Sequence, residues 1–142
     1  MSEEKPRKLK ASGLPRISVP EQDPARRATN FEEVPRGISL EAAMDEASRC
    51  MQCPKPRCIA ACPVNIRIPE FIAEIAKGDP KAAALKLKKQ TALPAVCGRV
   101  CPQENQCEGS CVLGIRGKSV AIGTLERFAA QPVTASATAE AP

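Results

Sequence analysis

Eight cysteines gathered into two runs of four limit what this 142-residue chain can fold around more than any other feature. The first run, in SRCMQCPKPRCIAACPVNIRIPEF at residues 48–71, places Cys50, Cys53, Cys58 and Cys62 in a C-x2-C-x4-C-x3-C pattern, with proline directly after Cys53 and Cys62. The second run, Cys97, Cys101, Cys107 and Cys111, reads C-x3-C-x5-C-x3-C, with Pro102 after Cys101. Thiols this dense serve as disulfides, as zinc ligands or as iron-sulfur ligands, and each use makes its own demand on the rest of the chain.

A secreted disulfide scaffold opens with an apolar leader. This chain opens MSEEKPRKLK and has no apolar run in its first thirty residues, so the expected compartment is the reducing cytoplasm. No stretch reaches the roughly 18 apolar residues of a membrane span. Zinc sites pair two CxxC knuckles or mix cysteine with histidine; here there is no histidine and one CxxC, Cys50 to Cys53. Two all-cysteine zinc sites, in a cysteine-rich protein-interaction module, remain the alternative reading. Iron-sulfur centres fit the pattern better, since bacterial ferredoxins use C-x2-C-x2-C-x3-C-P, with the last cysteine serving the other cluster.

The spacers read as helices. Ser39 precedes LEAAMDEASRC, in which Leu40, Ala43, Met44 and Ala47 share one helical face. Pro69 suits a first helical turn, Phe71, Ile72 and Ile75 form an apolar stripe, and Gly78 ends it. Asp79 and Pro80 start a second helix through KAAALKLKKQ, making a helical hairpin. Pro94 is expected to break the pattern before the second cysteine run, which reads as loops with a short helical turn. SVAIGTLERFAA reads as a final helix capped by Ser119, with Val120, Ile122, Leu125 and Phe128 available for packing. The expected organisation is an extended basic, proline-rich arm over 1–38 that orders only against a partner, an all-α domain over 39–130, and a flexible tail over 131–142.

Three phenylalanines are the only aromatics, so the core rests on small aliphatic residues and bound centres are expected to help hold it. The formal charge of +5 counts every thiol as neutral. Arginines and lysines near the cysteines, Arg49, Lys55, Arg57 and Arg99 among them, are read as compensating metal-bound thiolates or as solvated surface. Nucleic acid is not an expected partner, since aromatic stacking platforms and recognised motifs are lacking.

Three blocks, RCMQCPKPRCIAACPVNIRIPEFI, CGRVCPQENQCEGSC and AIGTLERFA, occur in that order between Ser39 and Ala130. In them the chain resembles the N-terminal iron-sulfur domain shared by the glutamate synthase small subunit, the large subunit of NADH-dependent ferredoxin-NADP oxidoreductase, and dihydropyrimidine dehydrogenase. The resemblance implies a small helical domain, alpha-helical ferredoxin-like, with two 4Fe-4S clusters. It implies electron relay between a flavin-containing NAD(P)H oxidoreductase partner and a second redox subunit. It also implies crossed ligation: Cys50, Cys53, Cys58 and Cys111 for one cluster, and Cys62, Cys101, Cys107 and Glu126 for the other, leaving Cys97 as a buried spare thiol. By its own pattern Glu126 is an ordinary solvent-facing helix residue, and only the resemblance makes it a ligand. The residues alone leave open a local assignment in which each cysteine run holds its own cluster.

No flavin or nucleotide site is expected in this chain. GxGxxG is absent, and GIRGKS has Val112 where a phosphate loop needs its first glycine and follows no strand. Without histidine there is no nucleophilic triad, and no C-x3-C-x2-C radical-enzyme run occurs. The expectation is a non-catalytic electron carrier within a glutamate synthase-like or NAD(P)H:acceptor oxidoreductase complex, either a split subunit or a part of a longer flavoprotein.

Overall fold

Ser39 starts the helical body as read from the sequence: its hydroxyl accepts from the Ala42 amide at 3.2 Å and caps a helix over Leu40–Ser48. The computed structural model describes residues 13–139, with side chains through residue 131. In chain order the helices are α1 (Pro24–Arg27), α2 (Leu40–Ser48), α3 (Arg57–Ala60), α4 (Ile68–Ala76), α5 (Pro80–Lys88), α6 (Pro94–Val100) and α7 (Ile122–Ala139). Two 3-10 turns, Gln103–Asn105 and Val112–Ile115, lie between α6 and α7. Among the described residues the only sheet-like pairing is an isolated antiparallel bridge between Glu21 and Pro35, so the fold is all-α. No helix among them is long and apolar enough to cross a membrane.

The hairpin forms as its punctuation dictates. Gly78 takes φ +81, a left-handed value open to glycine without a Cβ penalty, and Asp79 accepts from the Ala82 amide at 2.9 Å to cap α5. α2 packs on α4, α5 on α7, and α6 along α7. The shared core holds Ala43, Ala47, Phe71, Ile72, Ile75, Leu87, Val120 and Leu125, all nearly or fully buried. Each of the larger side chains contributes about 1.5–3 kcal/mol by leaving water. Of the phenylalanines only Phe71 is fully interior, whereas Phe31 is wholly exposed. Leu40, expected on the inner face of α2, is exposed at its first position.

Two sequence expectations change. Pro94 opens α6 rather than breaking the chain, because the first helical position has no backbone hydrogen bond to lose. Ser119 does not cap the last helix: its hydroxyl accepts from the Arg16 guanidinium at 2.9 Å, and α7 starts at Ile122. Two buried carboxylates serve that helix start instead, Glu46 accepting from the Ala121 amide at 2.7 Å and Glu108 from the Gly123 amide at 3.0 Å. α7 also runs on to Ala139 within the segment expected as a tail, where Ala135, Ala137 and Ala139 are strong helix formers.

The arm folds back on its own chain from Gly13 onward; its first twelve residues lie outside the described residues. Arg16 pairs with Glu108 at 2.6 Å, and the Ile17 amide donates to Glu46 at 2.8 Å. Further along, Glu33 meets Arg99 of α6 at 2.7 Å and Arg127 of α7 at 3.0 Å. Gln22, itself buried, donates to the Glu32 and Glu33 carbonyls and holds the loop between them. The arm supplies donors that buried carboxylates need, which is why it lies against the body rather than away from it.

Candidate metal centres

The first cysteine run leaves α2 through a tight turn. Arg49, buried beside Cys50, bonds Glu46 at 2.6 Å and the Leu14 carbonyl at 3.0 Å, so the residue before the first thiol is fixed from both sides. Gln52 takes φ +46, which no glycine relieves, and its amide nitrogen donates to the Cys50 sulfur at 3.5 Å and to the Pro69 carbonyl at 3.0 Å. That strained position turns the chain so that Cys50 and Cys53 face the same hollow.

One hollow is lined by Cys50, Cys53, Cys58 and Cys111 with Ile68, Ile72, Val120 and Ile122 behind them. Cys62 does not line it. Burial first, then nearby Cys50, Cys111 and Cys53, push the Cys58 thiol up to about 12, with the Ile59 backbone N–H opposing. Cys50 is raised mainly by burial, opposed by the backbone N–H of Gln52 at its sulfur. Cys111 enters from the second run at the start of the Val112–Ile115 turn, after a segment anchored by Glu108.

A second group gathers where the Gln103–Asn105 turn meets α7. Cys107 is buried and raised to about 12, first by burial and then by Glu108, with Cys62 and Glu126 adding to it and the Glu108 backbone N–H opposing. Cys101 is raised by burial, by Cys97 beside it, by Glu126 and by Cys62. Cys62 and Glu126 thus stand near both Cys101 and Cys107, with Cys97 beside Cys101. Glu126 is buried on α7, its Oε1 has no hydrogen-bond partner, and burial lifts its carboxyl to about 7.

The donors fit iron-sulfur chemistry. Four thiols line a hollow walled mostly by apolar side chains, the all-cysteine donor set that iron-sulfur centres use. A buried carboxylate oxygen without a donor suits a cation, since an unmet buried acceptor is otherwise costly. Thiols raised by burial are neutral in the metal-free protein, so metal binding releases their protons.

One hollow thus brings together three thiols of the first run and Cys111 of the second. Cys97, expected as a buried spare, is only half-buried on α6, where Val96 and Val100 are exposed. Sequence reading missed Gln52, Glu46 and Glu108. Two of them carried a signal, being acidic residues within a few positions of cysteines, but their partners lie far along the chain.

Comparison with known proteins places these features in a family. Residues 27–138 match the model of dihydropyrimidine dehydrogenase domain II, 4Fe-4S cluster. The chain is 39% identical over 110 residues to the glutamate synthase [NADPH] small chain of Halomonas elongata, covering 77% of this chain and 23% of that one. It is 38% identical over 117 residues to the putative oxidoreductase UacF of Escherichia coli, covering 82% of this chain and 18% of the relative. With the NAD-dependent dihydropyrimidine dehydrogenase subunit PreT homolog of Salmonella typhi the identity is 37% over 98 residues, 69% of this chain and 24% of the relative. The chain spans less than a quarter of the length of these relatives.

Proposed function

This chain belongs to the dihydropyrimidine dehydrogenase domain II 4Fe-4S family, and from that premise we propose that it carries two 4Fe-4S centres and relays electrons. The donor is a flavin-containing NAD(P)H oxidoreductase partner or the far side of the relay is, with a second redox subunit at the other end; the names of the relatives, a glutamate synthase [NADPH] small chain and an NAD-dependent dehydrogenase subunit, support that class of partner. Cys50, Cys53, Cys58 and Cys111 hold the first centre. Cys62, Cys101, Cys107 and Glu126 hold the second.

The observation that carries this reading is the hollow lined by three thiols of the first run and one of the second. A bound 4Fe-4S centre supplies a one-electron couple whose potential depends on ligand charge, hydrogen bonds to sulfur and exposure to water. The chain's residues set each of these. Ile68, Ile72, Val120 and Ile122 keep water from the first site. Gln52 and the backbone N–H groups of Gln52, Ile59 and Glu108 aim donors at ligand sulfurs. Glu126 adds a carboxylate charge to the second site, which lowers its potential relative to a neutral ligand. Cys58 and Cys62 flank the end of α3 and belong to different sites, so one turn of chain joins the two.

Anaerobic purification followed by iron, acid-labile sulfide and zinc analysis tests the reading. A brown protein with equal iron and sulfide, enough for two four-iron centres per chain, is expected; a colourless protein holding stoichiometric zinc overturns it.

A further inference from the structure

Two open clefts abut the hollow lined by Cys50, Cys53, Cys58 and Cys111. One, of about 660 Å³, shares Met51, Val112 and Leu113 with the hollow, so the same side chains wall both. The other, of about 590 Å³, shares Arg57, Ser110 and Cys111 with it. Lys118 lines both clefts, and Arg116 lines the first.

The cations here are of two kinds. Arg16 and Arg49 are spent inside the fold: Arg16 bonds Glu108 at 2.6 Å and the Ser119 carbonyl at 3.0 Å, while Arg49 bonds Glu46 at 2.6 Å and the Lys118 carbonyl at 2.5 Å. They fix the backbone that follows Arg116. Arg57, Arg116 and Lys118 are exposed, and none of them forms an ion pair with a described residue. The first cleft has no carboxylate, and the second has Glu104 besides the spent Glu108. Charges that balance metal-bound thiolates belong at the sulfurs, yet Arg116 and Lys118 line the clefts and not the hollow. Beside them Leu14, Met51 and Ile115 are exposed. Unpaired cations around exposed apolar side chains suit a protein partner, since a small anion makes no use of the apolar ones.

We propose that this face docks an acidic surface of a redox protein and so brings that partner's one-electron group against the first centre. The inference rests on the assignment of Cys50, Cys53, Cys58 and Cys111 to that centre. On docking, one electron passes between the centre and the partner's group; one is oxidised as the other is reduced, and no bond forms or breaks. Arg57, Arg116 and Lys118 steer the partner and set its register, while Leu14, Met51 and Ile115 leave water at the contact.

The test uses the full chain purified anaerobically, with flavodoxin, a small acidic flavoprotein, as the probe. Two readouts are taken: the stopped-flow rate of electron transfer from the reduced chain to oxidised flavodoxin, and the sites of carbodiimide crosslinking between the two proteins, mapped by mass spectrometry. Wild-type protein is expected to crosslink through Lys118 and to transfer electrons at a rate that falls steeply with salt. Arg116→Glu combined with Lys118→Glu is expected to slow transfer about tenfold at low salt, with iron content and spin signals unchanged. Lys81→Glu combined with Lys88→Glu makes the same charge change on α5, which borders neither cleft, and is expected to slow it by no more than about twofold. Equal slowing by the two double variants is an effect of net charge alone and overturns the docking face. Iron loss from the Arg116 and Lys118 variant also overturns it, since those cations then belong to the centre itself. So does a loaded wild-type chain whose rate ignores salt, or a Lys118 crosslink abolished by pyrophosphate at matched ionic strength, which marks a small-anion site. Wild-type protein without iron instead overturns the two-centre reading. Should charge reversal unfold the chain by circular dichroism, Arg116→Gln combined with Lys118→Gln gives the same rate comparison.

Discussion

The two donor groups are built in opposite ways. The first takes three thiols from nine consecutive residues, Cys50 to Cys58, and one thiol from far along the chain, behind an apolar wall and with a charged pair, Glu46 and Arg49, fixed at its entrance. The second, as proposed, takes single residues from four separate places, Cys62, Cys101, Cys107 and Glu126, one of which has a carboxylate oxygen without a partner. Close spacing in sequence gathers three donors through local turns. Dispersed donors build one whose chemistry depends on how two helices meet.

Glu46→Ala breaks this comparison hardest. It removes the acceptor of Arg49, of the Ala121 amide and of the Ile17 amide, and leaves a buried guanidinium without its counter-charge. Stability is expected to fall by about 3–5 kcal/mol in chemical denaturation. Glu108→Ala, whose partner Arg16 is partly exposed, is expected to cost less.

The second site is sharpened by pH. In the metal-free protein Glu126 has a folded pKa of about 7 against an ordinary 4.5, so the folded form holds a proton that the unfolded chain has already lost. Its stabilising effect is full below pH 4.5 and is lost as pH rises through about 7. That loss amounts to about 3 kcal/mol. Metal-free wild type should show it across this range in denaturation curves, and metal-free Glu126→Gln should not.

Gly98→Ala is expected to cost about 1–3 kcal/mol, since its Cβ would press on the Arg127 backbone. It should also disturb the spin signal of the second centre and leave that of the first unchanged. The smallest effect belongs to Gln52→Ala, which removes the amide donor at 3.5 Å from the Cys50 sulfur. A lower potential for the first centre alone, read by redox titration, is the expected outcome.

Local chemistry made much of the fold legible. Ser39, Asp79, Pro69 and Gly78 carry their signals within three residues of what they control, and α2, α4 and α5 begin and end accordingly. The start of α7 was not legible, because its amides are met by Glu46, 75 residues away, and Glu108, 15 residues away. Nor was the docking of the arm, since Arg16 reaches Ser119 across 103 residues. For the sites, spacing marked the cysteines as metal ligands but could not say that Cys111 faces Cys50 rather than Cys107. Glu126 illustrates the limit most plainly: a charged residue at an unremarkable helix position becomes a buried, unmet acceptor only when α7 is packed against α6.

The assignment of thiols to centres is tested most directly by spin resonance of reduced single-cysteine variants taken in pairs. Cys50→Ala and Cys111→Ala are expected to erase the same signal, and Cys62→Ala and Cys107→Ala the other. If Cys50→Ala and Cys62→Ala erase one signal while Cys107→Ala and Cys111→Ala erase the second, each run holds its own centre and the crossed arrangement is wrong.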